Sequence, residues 1–199
     1  MATRPVIIVL AAGRGRRSRG RSGNLSPSMQ DGDAQLMRAL KTALASQLRV
    51  LVVVDSAAQQ ALAGTQLAAR DIVVLPEDTA SGRASGEGDA IAAGVAASGD
   101  ADGWVLLPAD APVMQAQTLL AVAHALELHP VAYGQHRGRR GLPIGFSAEL
   151  YSELMRLQGE TGAGRLLARY PAQGVEVDDP AVLGELPSPA EALPHRAAI

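Results

Sequence analysis

Four runs along the chain are continuously apolar and rich in β-branched residues: Pro5 to Leu10, Val50 to Val54, Ile72 to Leu75 and Trp104 to Leu107. Side chains alternate in direction along a strand, so a strand with one wet face alternates apolar and polar. An unbroken apolar run instead predicts a strand covered on both faces. Between these runs the spacing turns helical. Asp33 to Ser46 carries Leu36, Leu40 and Leu44 at four-residue intervals, and Ser56 to Ala63 and Gly88 to Ala97 are alanine-rich. Gln115 to Leu128 places Leu119, Val122, Ala123 and Leu126 on one side. Strands alternating with helices predict βαβ units with right-handed crossovers, hence an α/β fold: a three-layer, doubly wound, mostly parallel sheet.

Beyond residue 130 the pattern shortens. Val131 to Tyr133 and Leu142 to Phe146 read as short strands around an arginine-rich turn, and Gly174 to Val177 as a last strand. Glu149 to Leu157 and Thr161 to Tyr170 read as helices, and the tail from Pro180, with prolines at 187, 189 and 194, as irregular. Two long connections stand out, Ala12 to Asp31 and Pro76 to Glu87. Connections of that length are usually functional or disordered, and open parallel sheets bind ligands beyond the carboxyl ends of their strands. Both connections leave such ends, and Asp110 lies at another.

Composition narrows the function classes. The 199 residues are expected to form one domain spanning 1–199, and 47% hydrophobic residues with a mean hydropathy of +0.08 exclude a disordered chain. No apolar run is long enough to span a bilayer, and the first ten residues lack the apolar core of a signal peptide. Cysteine is absent, which excludes disulfides, thiolate metal sites and cysteine nucleophiles and fits a cytoplasmic location. A net charge of −2 and 3% aromatics leave neither a general attraction for nucleic acid or membrane nor stacking platforms for bases. Charge is nevertheless placed unevenly: six arginines precede residue 22, while Lys41 is the sole lysine.

Five of those arginines follow the first strand. Leu10-Ala11-Ala12-Gly13-Arg14-Gly15-Arg16-Arg17 joins small residues, which let backbone N–H groups approach a ligand, to guanidinium groups that pair with phosphate oxygens. The segment suits a nucleotide triphosphate; a solvated arginine loop is the plainer alternative. A dinucleotide fingerprint fits poorly, because Ser18 occupies the third glycine position and the next strand's acid, Asp55, is too distant. A P-loop fits equally poorly, because Gly23-Asn24-Leu25-Ser26-Pro27 does not open a helix directly.

The order of motifs resembles the MobA-like nucleotidyltransferases, and within them the molybdenum-cofactor cytidylyltransferase branch most. Leu10 to Arg17 resembles their opening signature, and Leu107-Pro108-Ala109-Asp110-Ala111-Pro112 with Thr118 their Leu-x-Asp-Met-Pro block. Arg140 to Phe146, Leu157 to Ala163 and Leu183 to Pro189 resemble three later blocks in the right order. The resemblance implies transfer of a nucleoside monophosphate, from CTP, to a phosphate-bearing acceptor such as the molybdopterin cofactor, with Mg²⁺ and release of pyrophosphate. It implies a nucleotide site of Leu10, Ala11, Ala12, Gly13, Arg14, Gly15, Arg17 and Asp89. Arg17 and Asp110 are then the catalytic residues, and Asp110 and Glu185 the metal ligands. Alanine at position 12 follows the cytidylyl branch, since the guanylyl branch has a second glycine there.

Several positions depart from the family pattern. The signature lysine is missing near Asn24, with Arg19 and Arg21 nearby; Leu142 and Gly164 replace a histidine and an arginine; Asp89 and Ala90 replace paired serines. These departures leave open a second reading, a nucleotide-binding or regulatory module with weakened turnover. Asp110 alternatively caps the helix that follows, and Asp89 alternatively serves a helix dipole. His124, His129, His136 and His195 show no ligand spacing and read as structural or surface residues.

Overall fold

The computed structural model describes residues 4–12, 29–76, 85–159 and 162–184. In chain order its strands are β1 (Val6–Leu10), β2 (Arg49–Asp55), β3 (Ile72–Leu75), β4 (Gly103–Pro108), β5 (Val131–His136), β6 (Arg139–Ser147) and β7 (Ala172–Glu176). Its helices are α1 (Met29–Ala45), α2 (Ser56–Gln59), α3 (Glu87–Ala96), α4 (Ala116–Ala125), α5 (Tyr151–Leu154) and α6 (Gly164–Arg169). The strands form one sheet in the order β3-β2-β1-β4-β6-β5-β7, in which β6 alone runs against its neighbours. The expected mostly parallel, doubly wound sheet is therefore present.

Burial explains the unbroken apolar runs. Every residue of β1 is buried, and its side chains divide between two cores. Val6, Ile8 and Leu10 pack with residues of α3, α5 and α6, whereas Ile7 and Val9 pack with residues of α1 and α4. That division makes three layers. Helix α3 lies so close to the sheet that a Cβ on Gly94 would stand 2.9 Å from Ile8 Cγ2. The same helix end meets a buried polar pair, where Trp104 Nε1 donates to Ser98 Oγ at 3.0 Å and Ser98 Oγ donates to the Gly94 carbonyl at 2.8 Å. Trp104 thus carries its one polar atom into the core with a partner.

Element boundaries differ from the expected ones for local reasons. Helix α1 starts at Met29 rather than Asp33, since a single glycine such as Gly32 costs a helix only about 1 kcal/mol. The stretch from Ser56 gives four α-helical residues capped by Asp55 and then a 3₁₀ turn, Gln60–Leu62, because only Leu62 is buried to anchor it. Helix α4 stops at Ala125 instead of Leu128, where the hydrogen bonds tighten to three-residue spacing. The helix expected from Glu149 opens as a 3₁₀ turn, Ala148–Leu150, and the one expected from Thr161 is helical over Gly164–Arg169. The two short strands flanking the arginine-rich turn are longer than expected and form a hairpin turning at Arg137 and Gly138, with φ of 51° and 73°. Part of the tail expected to be irregular forms a 3₁₀ turn, Pro180–Leu183.

Candidate functional site

After β1 the chain moves outward to β2 and β3, then returns to β1's other side as β4. That reversal creates a crevice between the carboxyl ends of β1 and β4, the place where an open α/β sheet accepts ligands. The two ends lie in register, Leu10 opposite Pro108, and the Ala109 N–H donates to the Leu10 carbonyl at 2.9 Å. Ala11 and Ala12 are buried, and their N–H groups both donate to the Val53 carbonyl at 2.8 and 3.1 Å. These bonds steer the chain across the end of β2 just before the glycine-arginine segment begins. Gly13, Arg14, Gly15 and Arg17 lie outside the described residues, as do Arg19, Arg21, Asn24 and Glu185.

Asp110 is exposed in a turn closed by the backbone, with the Ala111 N–H donating to the Pro108 carbonyl at 3.0 Å. At the start of α4 a second carboxylate is engaged. Asp179 Oδ2 accepts from the Gln115 N–H at 2.8 Å and from Thr118 Oγ1 at 2.7 Å, at the start of α4. Asp179 is 4% exposed, and its Oδ1 also accepts from the Ala181 N–H at 3.2 Å. One carboxylate therefore joins the turn after β7 to the helix after the Asp110 loop, and the chain leaves Gly184 beside that junction. Reading the chain alone missed Asp179. The signal was there, since an aspartate immediately before Pro180 matches an N-cap followed by proline at the first helical position.

Asp89 sits in the first turn of α3, at the same edge of the sheet. Its Oδ2 accepts from the Gly86 N–H at 2.8 Å and from the Gly159 N–H at 2.9 Å, while the Gly88 N–H donates to the Gly159 carbonyl at 2.8 Å. The carboxylate thus caps α3 and ties it to the loop preceding α6. Two further residues at this edge were not singled out from the sequence. Glu176, ending β7, accepts from Gln135 Nε2 at 2.9 Å and from the N–H groups of Arg137 and Gly138 at the hairpin turn. Those bonds, led by Gln135, hold its carboxyl below the usual value. Arg140 lies over the Tyr133 ring, 4.8 Å from its centroid. His136 is a structural histidine as expected, buried with Nδ1 2.9 Å from the Val177 carbonyl. Among the described residues no three acidic or histidine side chains converge on a common metal position.

A doubly wound sheet of this strand order, with a carboxylate and a small-residue connection at its switch point, is an α/β domain of the nucleotide-diphospho-sugar transferase type. The MobA-like NTP transferase domain matches residues 7–175, and the chain belongs to that family. Rv0371c from Mycobacterium tuberculosis H37Rv is similar at 26% identity and a TM-score of 0.67, over 88% of this chain and 89% of that one. Its manganese complex matches at 24% identity and a TM-score of 0.63, over 89% of each chain. A nucleotidyl transferase from Methanothermobacter matches at 23% identity and a TM-score of 0.65, over 90% of this chain and 89% of that one. No curated protein matches the chain. Among the described residues no helix is long and apolar enough to cross a membrane.

Proposed function

We propose that this protein is a cytoplasmic, divalent-metal-dependent nucleotidyltransferase. It moves a cytidylyl group from CTP onto a phosphate-bearing acceptor such as the molybdopterin cofactor and releases pyrophosphate. The observation that carries the reading is the bond from the Ala109 N–H to the Leu10 carbonyl, which starts the arginine loop and the Asp110 turn side by side at the switch point. Leu10, Ala11, Ala12, Gly13, Arg14 and Gly15 form the nucleotide cradle, and Arg17 clamps the β- and γ-phosphates. Ala12 leaves less room beside the base than glycine, which favours cytosine over guanine. Asp89 serves the nucleotide site by holding the start of α3 against Gly159.

The donor chemistry fits a hard cation. A single exposed carboxylate, Asp110, suits Mg²⁺, which takes one or two protein oxygens together with waters and substrate phosphates. The structure of the similar Rv0371c as a complex with manganese supports a divalent ion in the reaction. Glu185, one residue beyond the turn that Asp179 anchors, is the second ligand. When bound, the cation neutralises charge on the phosphates. An acceptor phosphate oxygen attacks the α-phosphorus, the bond from that phosphorus to the bridging oxygen breaks, and pyrophosphate departs while the arginines hold its charge. Positioning and electrostatic stabilisation carry such a reaction.

Calorimetric titration of CTP and GTP, each with Mg²⁺, Mn²⁺ or chelator, tests the reading. CTP with metal is expected to bind more tightly, and equal or reversed affinities would remove the cytidylyl assignment. A thermal-shift panel gives an independent check, since a ligand at 100 times its Kd stabilises by roughly 2.7 kcal/mol. The missing lysine favours the second reading, a binding module with weakened turnover. Tight CTP binding without pyrophosphate release across a panel of phosphorylated acceptors would select it.

A further inference from the structure

The arginine hairpin between β5 and β6 has no part in the nucleotide reading, yet it projects from the same edge of the sheet. Strand β6 runs antiparallel to both β4 and β5, so β5 ends and β6 begins at the carboxyl end of β4. The last β4–β6 pair is Leu106 with Ile144, so residues 139–143 of β6 run on past that pair towards the edge where the Asp110 turn lies. Arg137, Arg139 and Arg140 are all exposed. Tyr133, beneath the Arg140 guanidinium, packs against the core on the α3 side of the sheet.

The turn is built rather than loose. Arg137 takes a φ of 51°, a left-handed conformation that costs a residue with a side chain stability. Glu176 receives the N–H groups of Arg137 and Gly138 and so holds that conformation, with Gln135 Nε2 completing its partners. A guanidinium stacked on an aromatic face is fixed in orientation and keeps its edge donors for a planar or tetrahedral oxyanion.

We propose that this hairpin is the arm that receives the acceptor. Arg140, with Arg137 beside it, binds the phosphate monoester group of the second substrate, and Glu176 is the positioning residue that holds the turn presenting them. The identity of that ligand as the second substrate rests on the nucleotidyltransferase reading above. The chemistry of the site does not.

Inorganic phosphate titrated into the full chain, followed through backbone amide resonances, is the test. Saturable shifts at residues 137–141 are expected, and they should persist in saturating CTP and Mg²⁺. Arg140→Gln should weaken phosphate roughly tenfold, as for one charged contact, while CTP affinity measured by calorimetry stays within about twofold. Glu176→Ala separates positioning from charge. Removing a negative group should tighten phosphate binding if charge alone matters, and should weaken it if the carboxylate holds the turn. Absent shifts, unchanged affinity in Arg140→Gln, or phosphate displaced by CTP would each overturn the proposal. Tighter binding in Glu176→Ala would overturn the role given to that residue. Should CTP fail to bind the wild type while the hairpin shifts persist, the nucleotide reading falls and the phosphate site stands.

Discussion

Asp179 is expected to contribute most of the stability of the junction beside the site, and its removal can be worked through in numbers. Its carboxylate is 4% exposed and accepts three hydrogen bonds, from the Gln115 N–H, Thr118 Oγ1 and the Ala181 N–H. Hydrogen bonds to a charged group contribute about 1.5–3 kcal/mol each, but burying that charge costs part of the gain. In Asp179→Ala, water reaches the exposed Gln115, whereas the Thr118 hydroxyl, on a residue 2% exposed, loses its acceptor. A net loss of about 3 kcal/mol follows, combining a lost helix cap with one buried unsatisfied hydroxyl. For a chain of this size that corresponds to a Tm lower by roughly 6–12 °C. Asp179→Asn keeps a carbonyl acceptor without the charge and should lose about half as much. Thermal unfolding of the three proteins, followed by circular dichroism, checks this. A fall below about 2 °C in Asp179→Ala, or a larger loss in Asp179→Asn, would refute the account.

Four other outcomes are expected. The lowered pKa of Glu176 means its bonds to the hairpin stabilise above the ordinary carboxyl value of 4.5 and are lost as pH falls through the lower folded value. The Arg137 and Gly138 amide resonances should therefore titrate below 4.5, and should not do so in Glu176→Gln. Ser98→Ala leaves the buried Trp104 Nε1–H without its acceptor and should cost about 1–3 kcal/mol by denaturant unfolding. Gly141→Ala would drive a Cβ into the backbone carbonyl of Val182, displacing the turn that Asp179 anchors, and should destabilise by more than about 2 kcal/mol. Asp110→Asn should still unfold cooperatively but weaken metal-dependent CTP binding by about tenfold or more, measured by calorimetry; unchanged binding would leave the metal site unassigned.

What was legible in the chain follows from how many residues carry each signal. The strands β1, β2 and β4 announce themselves because burial on two faces demands a run of apolar residues in succession. Their order then places Leu10, Ala11, Ala12 and Asp110 at the switch point without any coordinates. The hairpin strands were read too short because the apolar residues stop at Tyr133 and resume at Leu142, while Gln135, Arg139 and Arg140 extend the pairing beyond them. The role of Asp89 was only half legible. A helix-start acid is visible in sequence, but its second partner, the Gly159 N–H, is 70 residues away. Asp179 was missed for the same reason, because its partners at Gln115 and Thr118 come from an element more than 60 residues earlier.

These carboxylates share a pattern along the carboxyl edge of the sheet. Segments leaving the carboxyl edge of the sheet are tied by an acid to a backbone N–H: Asp55 caps α2 after β2, Asp89 caps α3 after β3, and Glu176 holds the β5–β6 turn. After β4 the Gln115 N–H at the start of α4 is taken by Asp179, an acid from beyond β7. The fold thus recruits a carboxylate from beyond β7 for a task that an acid beside β4 performs elsewhere at this edge. Such a substitution has a cost, since a local cap needs no long-range closure of the chain, whereas Asp179 needs the whole domain assembled.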